Sequence, residues 1–299
     1  MTRQKIRATL AVLVALSLGG CSLLVDIDPD VSSPPADGGS DASPRDDANA
    51  TGSTDGASEA GDAGDLTDAG DAGTDACLPP IASDTFTREV MGGFGTADVG
   101  GAWKASSTTN TKVLADVGLI IMPAGSGAEV ALEQISIRDV DAMVTMMFDK
   151  QSMPGDAGDG GEFYAHLIGR RTNAGLYSVF VYVTNQNTLR LHARRDVDGS
   201  STTMAQSSEI PGITNTPGMR LRLRARFEGA SPTRIRGRVW REGSKEPDGW
   251  AIDTVDSAPA LQVSGGLGLQ GYLSSRAPNG PVMLAVDDFV ARPISGCTP

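Results

Sequence analysis

Beyond residue 77 the chain alternates apolar and polar positions with a period of two. "MRLRLRARFE" does so without a break: Met219, Leu221, Leu223, Ala225 and Phe227 fall on one side, Arg220, Arg222, Arg224 and Arg226 on the other. "VDAMVTMMF" likewise groups Val140, Ala142, Val144, Met146 and Phe148. That period belongs to a half-buried strand, and no stretch with a helical period competes with it. "LYSVFVYVT", "TLRLHAR", "TRIRGRVW", "GGLGLQGYL" and "VMLAVDDFV" read as further strands. Clusters of turn-forming residues separate them: "PGDAGDGG", "DVDGSS", "EGASPT" and "APNG". Many short, punctuated strands predict an all-β fold, an antiparallel β-sandwich of the jelly-roll kind. Residues 77–299 are long enough for one substantial core.

The first residues follow another pattern. "MTRQKIR" carries Arg3, Lys5 and Arg7, "ATLAVLVALSL" is apolar throughout, and Gly19-Gly20-Cys21 follows. A basic segment, a short apolar core and small residues make a secretory signal over 1–20, too short to cross a bilayer as a stable helix. Leu18-Gly19-Gly20-Cys21 resembles a bacterial lipobox. In lipoproteins with that motif the cysteine is lipidated and becomes the mature N-terminus, so Cys21 is the expected lipidation site. Several acyl chains hold a protein on a membrane durably. Ser22 after the cysteine implies, by the same resemblance, an outer-membrane lipoprotein of the cell envelope, facing the periplasm or the surface.

Composition changes again over 21–76. This segment is nearly all Asp, Ala, Gly, Ser, Thr and Pro, with fourteen acids against one base, Arg45, and no aromatic residue. Nothing there offsets the entropy of ordering, so a disordered, self-repelling linker is expected. About fifty such residues would span roughly 40 Å root-mean-square. The whole chain carries −12; the signal contributes +3 and the linker −13, which leaves −2 for the remainder. A near-neutral exported domain excludes a general nucleic-acid role.

Within the strand region, "DTFTREVMGGFGTADVGGAW" (84–103) resembles the opening of a domain found in secreted actinobacterial and phage-tail proteins, where a Trp often stands at the position of Phe94. "IRDVDAMVTMMFDK", "RLRLRARFEGASPTRIRGRVW", "EPDGW" and "GLQGYLSSRAPNGPV" continue the likeness in order. Those domains are similar to the concanavalin A-like lectin and glucanase jelly rolls, and the resemblance covers about residues 82–292. The signal and linker resemble those of myxobacterial-type lipoproteins. The likeness implies a concanavalin A-like sandwich in an accessory, often carbohydrate-associated setting; a fold of this kind hosts many functions. In such sandwiches the first and last strands lie side by side. Pairing "SDTFT" antiparallel with "VDDFVA" would bring Cys77 and Cys297 together, and an exported location permits that disulfide.

A search for chemistry finds little. Glucanases of the related fold carry a strand that sets two carboxylates in step on one face, as paired acid–base chemistry requires. "RDVDAM" offers Asp139 and Asp141 with no glutamate partner. There is no G-x-S-x-G, H-E-x-x-H or C-x-x-C motif. The two histidines, His166 and His192, fall in different strands, and His192 shares a side with Arg190 and Arg194. They read as surface histidines. No cofactor is expected. A structural calcium is the one metal the sequence raises, at Asp84, Asp287 and Asp288 where first and last strands meet; the competing reading has these carboxylates fixing turns or facing solvent.

The arginine rows are the most unusual feature. Arg222 and Arg224 on one strand, Arg236 and Arg238 on the next, and Trp240 beside them would form a basic field with an aromatic at its end. One reading is contact with an anionic polysaccharide or other envelope component, guanidinium forks on carboxylate or phosphate and a ring for sugar stacking. The other is a solvent face balanced by neighbouring carboxylates, since like charges opposed across a hairpin repel. Trp103 and Trp250 are expected in the core or under loops. The sequence thus leads to a membrane-anchored lipoprotein presenting a non-catalytic binding module, glycan its ligand class. A structural or protein-interaction domain of the envelope and a glycan-active enzyme stand as the other two readings.

Overall fold

The computed structural model describes residues 78–294. The signal and linker, Cys21, Cys77 and Cys297 all lie outside the described residues. Fifteen strands run in chain order as β1 (Ala82–Asp84), β2 (Lys104–Ala105), β3 (Thr111–Leu114), β4 (Val117–Met122), β5 (Gly127–Ile137), β6 (Val140–Phe148), β7 (Phe163–Arg171), β8 (Gly175–Val183), β9 (Leu189–Val197), β10 (Ser200–Gln206), β11 (Leu221–Glu228), β12 (Thr233–Arg241), β13 (Ile252–Asp256), β14 (Gly265–Leu273) and β15 (Val282–Pro293). A single 3₁₀ turn, Pro259–Leu261, interrupts them. All pairings are antiparallel, in two sheets. The first sheet runs β13-β12-β11-β6-β15-β4-β3, with β1 also on β15; the second runs β10-β9-β8-β7-β14-β5-β2.

The alternation read from the sequence is what closes the sandwich. Leu221, Leu223, Ala225 and Phe227 of β11 and Val140, Ala142, Val144, Met146 and Phe148 of β6 are all buried, and they meet Phe163, Ala165 and Leu167 of β7 and Val179, Val181 and Val183 of β8 from the opposite sheet. Side chains of two stacked sheets interdigitate across about 10 Å, so some inward positions have no room for a side chain. Gly169 and Gly237 hold two of these. A Cβ on Gly169 would lie 2.4 Å from Phe227, and one on Gly237 would lie 2.5 Å from Val179.

First and last strands pair as expected, Ser83 opposite Val290 and Asp84 opposite Phe289. Beside this pair sits an aromatic corner of Phe86, Phe94, Trp103 and Phe289, with ring centroids 5.4–6.5 Å apart. The buried Arg170 donates to the carbonyls of Arg138 (2.9 Å), Leu261 (3.3 Å) and Gly229 and to the Thr233 hydroxyl. One guanidinium therefore satisfies loop carbonyls of both sheets, the condition for burying a cation without large loss.

The close approach at Gly169 gives a direct test. Gly169→Ala must push Phe227 out of its place and should cost about 1–3 kcal/mol, as overpacking does. Gly249→Ala, where nothing lies within 4 Å of the added carbon, should shift stability by no more than about 0.5 kcal/mol. Equal denaturation midpoints for the two variants would contradict the inter-sheet contact.

Candidate functional site

The outward side chains of the second sheet fall into rows, because antiparallel register sets them directly opposite one another. One row reads Glu129, Gln270, His166, Phe180, His192, Gln206 across β5, β14, β7, β8, β9 and β10. The neighbouring row reads Tyr272, Tyr164, Tyr182, Arg190. On the other side of the first row, Ile168, Ser178 and Arg194 are aligned. Both histidines therefore lie on one face, each against Phe180: His166 stacks on its ring at 4.3 Å and His192 is tilted to it at 5.0 Å. Tyr182 lies 5.0 Å from His192, and Tyr164 contacts Tyr182 (5.3 Å) and Tyr272 (5.6 Å).

Arg194 roofs this cluster. Its guanidinium lies 5.9 Å from the Phe180 ring centre, and Nη2 donates to Asp196 at 2.7 Å and to Gln270 Oε1 at 3.4 Å. Beneath it His166 is buried, with Nδ1 3.2 Å from Ser178 Oγ. Arg190 reaches Glu209 at 3.4 Å. Three buried polar atoms of the face have no partner: His192 Nε2, Arg190 Nε and Arg194 Nε. Unsatisfied buried polar atoms are few in a native fold, so each of these has hydrogen-bonding capacity that the protein itself does not use. Two hollows flank the rows, one lined by Ser106, Glu129, Gln270 and Tyr272, the other by Arg171, Asn173, Asp196 and Asp198; Glu129 and Arg171 border both.

The electrostatics of the face are set by burial. It pushes His192 down to about 4, with the charge of Arg190 acting in the same direction. His166 goes well below the ordinary histidine range for the same reason, helped by Arg194 and His192. Burial raises the Tyr164 and Tyr182 hydroxyls, which stay protonated. At neutral pH the face thus offers neutral imidazoles, phenolic donors and two fixed cations.

The residues singled out from the sequence lie elsewhere. Arg222, Arg224, Arg236, Arg238 and Trp240 share the outward side of the first sheet, with Arg222 opposite Trp240, Arg224 opposite Arg238 and Arg226 opposite Arg236. Arg224 holds Asp141 through two bonds (2.8 and 2.6 Å), Arg236 pairs with Glu228, and Arg238 pairs with Glu246 at 2.5 Å. Trp240 is buried, with 6 % of its surface exposed, and the Trp250 ring packs against the Arg236 and Arg238 guanidiniums. No exposed ring terminates the field.

The calcium expectation is corrected by Arg88. Asp84 is fully buried and accepts from Arg88 Nη1 and Nη2 (2.7 Å each), Trp103 Nε1 (2.7 Å) and the Phe86 N–H (2.9 Å). A guanidinium fills the place a cation would need. Asp287 accepts from Arg220 at 3.1 Å, with Asp288 3.7 Å from the same group. Among the described residues no set of three or more His, Cys, Asp or Glu side chains is placed to hold a metal.

No family model and no curated protein matches the chain. Solved structures do resemble it. Alginate lyase Aly36B is 13 % identical over 72 % of this chain and 98 % of its own, with a TM-score of 0.47. The β-glucanase of Bacillus licheniformis is 7 % identical over 73 % and 100 %, at 0.46. An alginate lyase from Klebsiella pneumoniae is 8 % identical over 61 % and 83 %, at 0.40. All three are enzymes, and the expectation of a non-catalytic binding module is withdrawn. At these identities and scores the likeness says nothing of substrate or mechanism, which have to come from the residues.

The depressed His192 predicts a pH dependence of stability. Between about pH 4 and 6.5 the unfolded chain binds a proton at this histidine that the folded chain does not, so stability rises with pH across that window. For His192 alone the rise is on the order of 3 kcal/mol, and His166 adds in the same direction. Thermal midpoints recorded over this range should climb, and His192→Gln should flatten the climb. An unchanged slope in the variant would show that His192 is not held neutral by the fold.

Proposed function

We propose that the chain is a glycan-cleaving enzyme whose site is the His–Tyr–Arg face of the second sheet, and that it cleaves a uronate-bearing polysaccharide by β-elimination. The observation that carries this reading is the unpartnered Nε2 of His192, a neutral imidazole set between a tyrosine and two arginines. Elimination needs three things: the substrate carboxylate neutralised, a base for the acidified proton beside it, and an acid for the leaving glycosidic oxygen. Arg194 with Gln270 supplies the first, since their mutual bond is long and both can turn to a carboxylate. Neutral His192 supplies the second, and the Tyr182 hydroxyl beside it the third. The C–H electrons form the new double bond as the C–O bond breaks, and no water is consumed. Hydrolysis would need a free carboxylate pair; on this face Glu129 is held by Arg171 and Asp196 by Arg194.

Incubation with polyuronates of different linkage, followed in the ultraviolet for the unsaturated uronate, tests this. The wild type should form that product, and His192→Gln should lower kcat/KM by about 100-fold or more. The acid limb of the wild-type profile should fall near pH 4. Reducing ends without unsaturation, or no cleavage of any polyuronate, would overturn the assignment.

We further propose that this domain is displayed from the bacterial outer membrane by lipid on Cys21 and the acidic linker, as a myxobacterial-type lipoprotein whose membrane partner is reached through that anchor alone. The n-region, apolar core and Gly-Gly-Cys end support this. Labelled palmitate should enter the wild type and not Cys21→Ser; equal labelling would contradict the anchor.

A further inference from the structure

The arginine field of the first sheet is covered by its own connection. Residues 242–251, "EGSKEPDGWA", leave β12 and cross back over the outward side of β11 and β12 before β13 begins. Backbone bonds pin the two ends, Glu242 N–H to Arg220 O (2.9 Å) and Ala251 N–H to Gly237 O (2.9 Å). Between them the strap is held to the sheet by arginine side chains. Glu246 accepts from Arg224 (2.8 Å) and Arg238 (2.5 Å), Pro247 O accepts from Arg238 (2.6 Å), and the Trp250 ring lies 5.1 and 4.4 Å from the Arg236 and Arg238 guanidiniums. Lys245 and Asp248 pair with each other at the exposed crest.

Arg224 and Arg238 are direct cross-strand partners. Two cations so placed repel unless an anion sits between them, and the Glu246 carboxylate occupies that seat. The field also holds capacity that the strap leaves unused. Arg222, next along β11, has no ion pair among the described contacts, and its Nε is buried without a partner. Thr145, opposite Arg222 on β6, is 99 % buried and its hydroxyl has no partner either.

We infer that this field is an oxyanion-binding site closed by an internal mimic, and that its ligand is a polymer carrying regularly spaced sulfate, phosphate or carboxylate groups, which displaces Glu246 and lifts the strap. The unpaired Arg222 lies about 7 Å along the strand from Arg224, so a polymer engages both forks together where Glu246 offers one carboxylate to Arg224. Lifting the strap also frees the Trp250 ring from the arginines. The site lies on the sheet opposite the His–Tyr–Arg face and stands independently of the activity proposed for that face.

The test uses the full chain with dextran sulfate, polyphosphate, a polyuronate and neutral dextran, reading equilibrium binding by calorimetry and cleavage after Lys245 by a lysine-specific protease. At least one polyanion should bind saturably and neutral dextran should not; the ranking of the three identifies the oxyanion. Glu246→Gln, which empties the seat of its charge, should tighten that binding by about 10-fold. Polyanion should accelerate cleavage after Lys245 in the wild type, which decides the matter if Glu246→Gln fails to fold. Unchanged or weaker binding by a folded Glu246→Gln, slower cleavage at Lys245, or equal binding of neutral dextran would overturn the inference.

Discussion

A strand in a two-sheet sandwich buries alternate side chains, and antiparallel pairing then lines the remaining ones up in rows across the sheet. Every chemical property of this molecule follows from that constraint. Because His166, Phe180 and His192 are register partners on β7, β8 and β9, three residues far apart in sequence become one stack. The tyrosines at 164, 182 and 272 align for the same reason. The row geometry also explains the depressed histidines: each ring packs against Phe180 on the strand between them, Arg194 covers Phe180, and the imidazoles lose water, which disfavours their charged form.

The same constraint acts in the opposite way on the first sheet. There the rows set arginine against arginine, which no sheet tolerates without counter-charge. The counter-charges arrive from three directions: Asp141 on β6, Glu228 within the hairpin, and Glu242 and Glu246 from the strap. One sheet therefore carries a cationic field quenched by carboxylates. The other sets Arg190 and Arg194 beside imidazoles that burial keeps neutral. Neutral imidazoles on one sheet and arginine–carboxylate pairs on the other separate the face proposed for chemistry from the one that is closed.

Strands whose outward residues are charged were legible in the sequence. In β11 each arginine marks solvent and each apolar residue marks core, so its limits and its pairing with β12 could be read directly. β7 is not legible in this way. Tyr164, His166 and Ile168 point outward yet are as apolar or as buried as their neighbours, so "FYAHLIGRR" shows no alternation. The histidines were passed over because nothing local connects positions 166 and 192; only the register through Phe180 does. Arg190, His192 and Arg194 at every second position of "RLHARRD" are the one available signal. The partners of Asp84 are not legible for a related reason. Its partners Arg88 and Trp103 come from the irregular segment after β1, whose path no periodicity describes.

The central claim is that an acidic glycan meets the outward face of the second sheet. Only two histidines exist in the chain, and both lie on that face. Ring resonances of His166 and His192, followed while a short oligouronate is titrated in, report on it with no other signal in the way. Saturable shifts at both rings are predicted, with His192 moving more because its Nε2 has no partner in the fold and His166 is the more deeply buried ring. If an oligouronate that demonstrably binds the protein leaves both histidines unmoved, the face is not the site and the account fails.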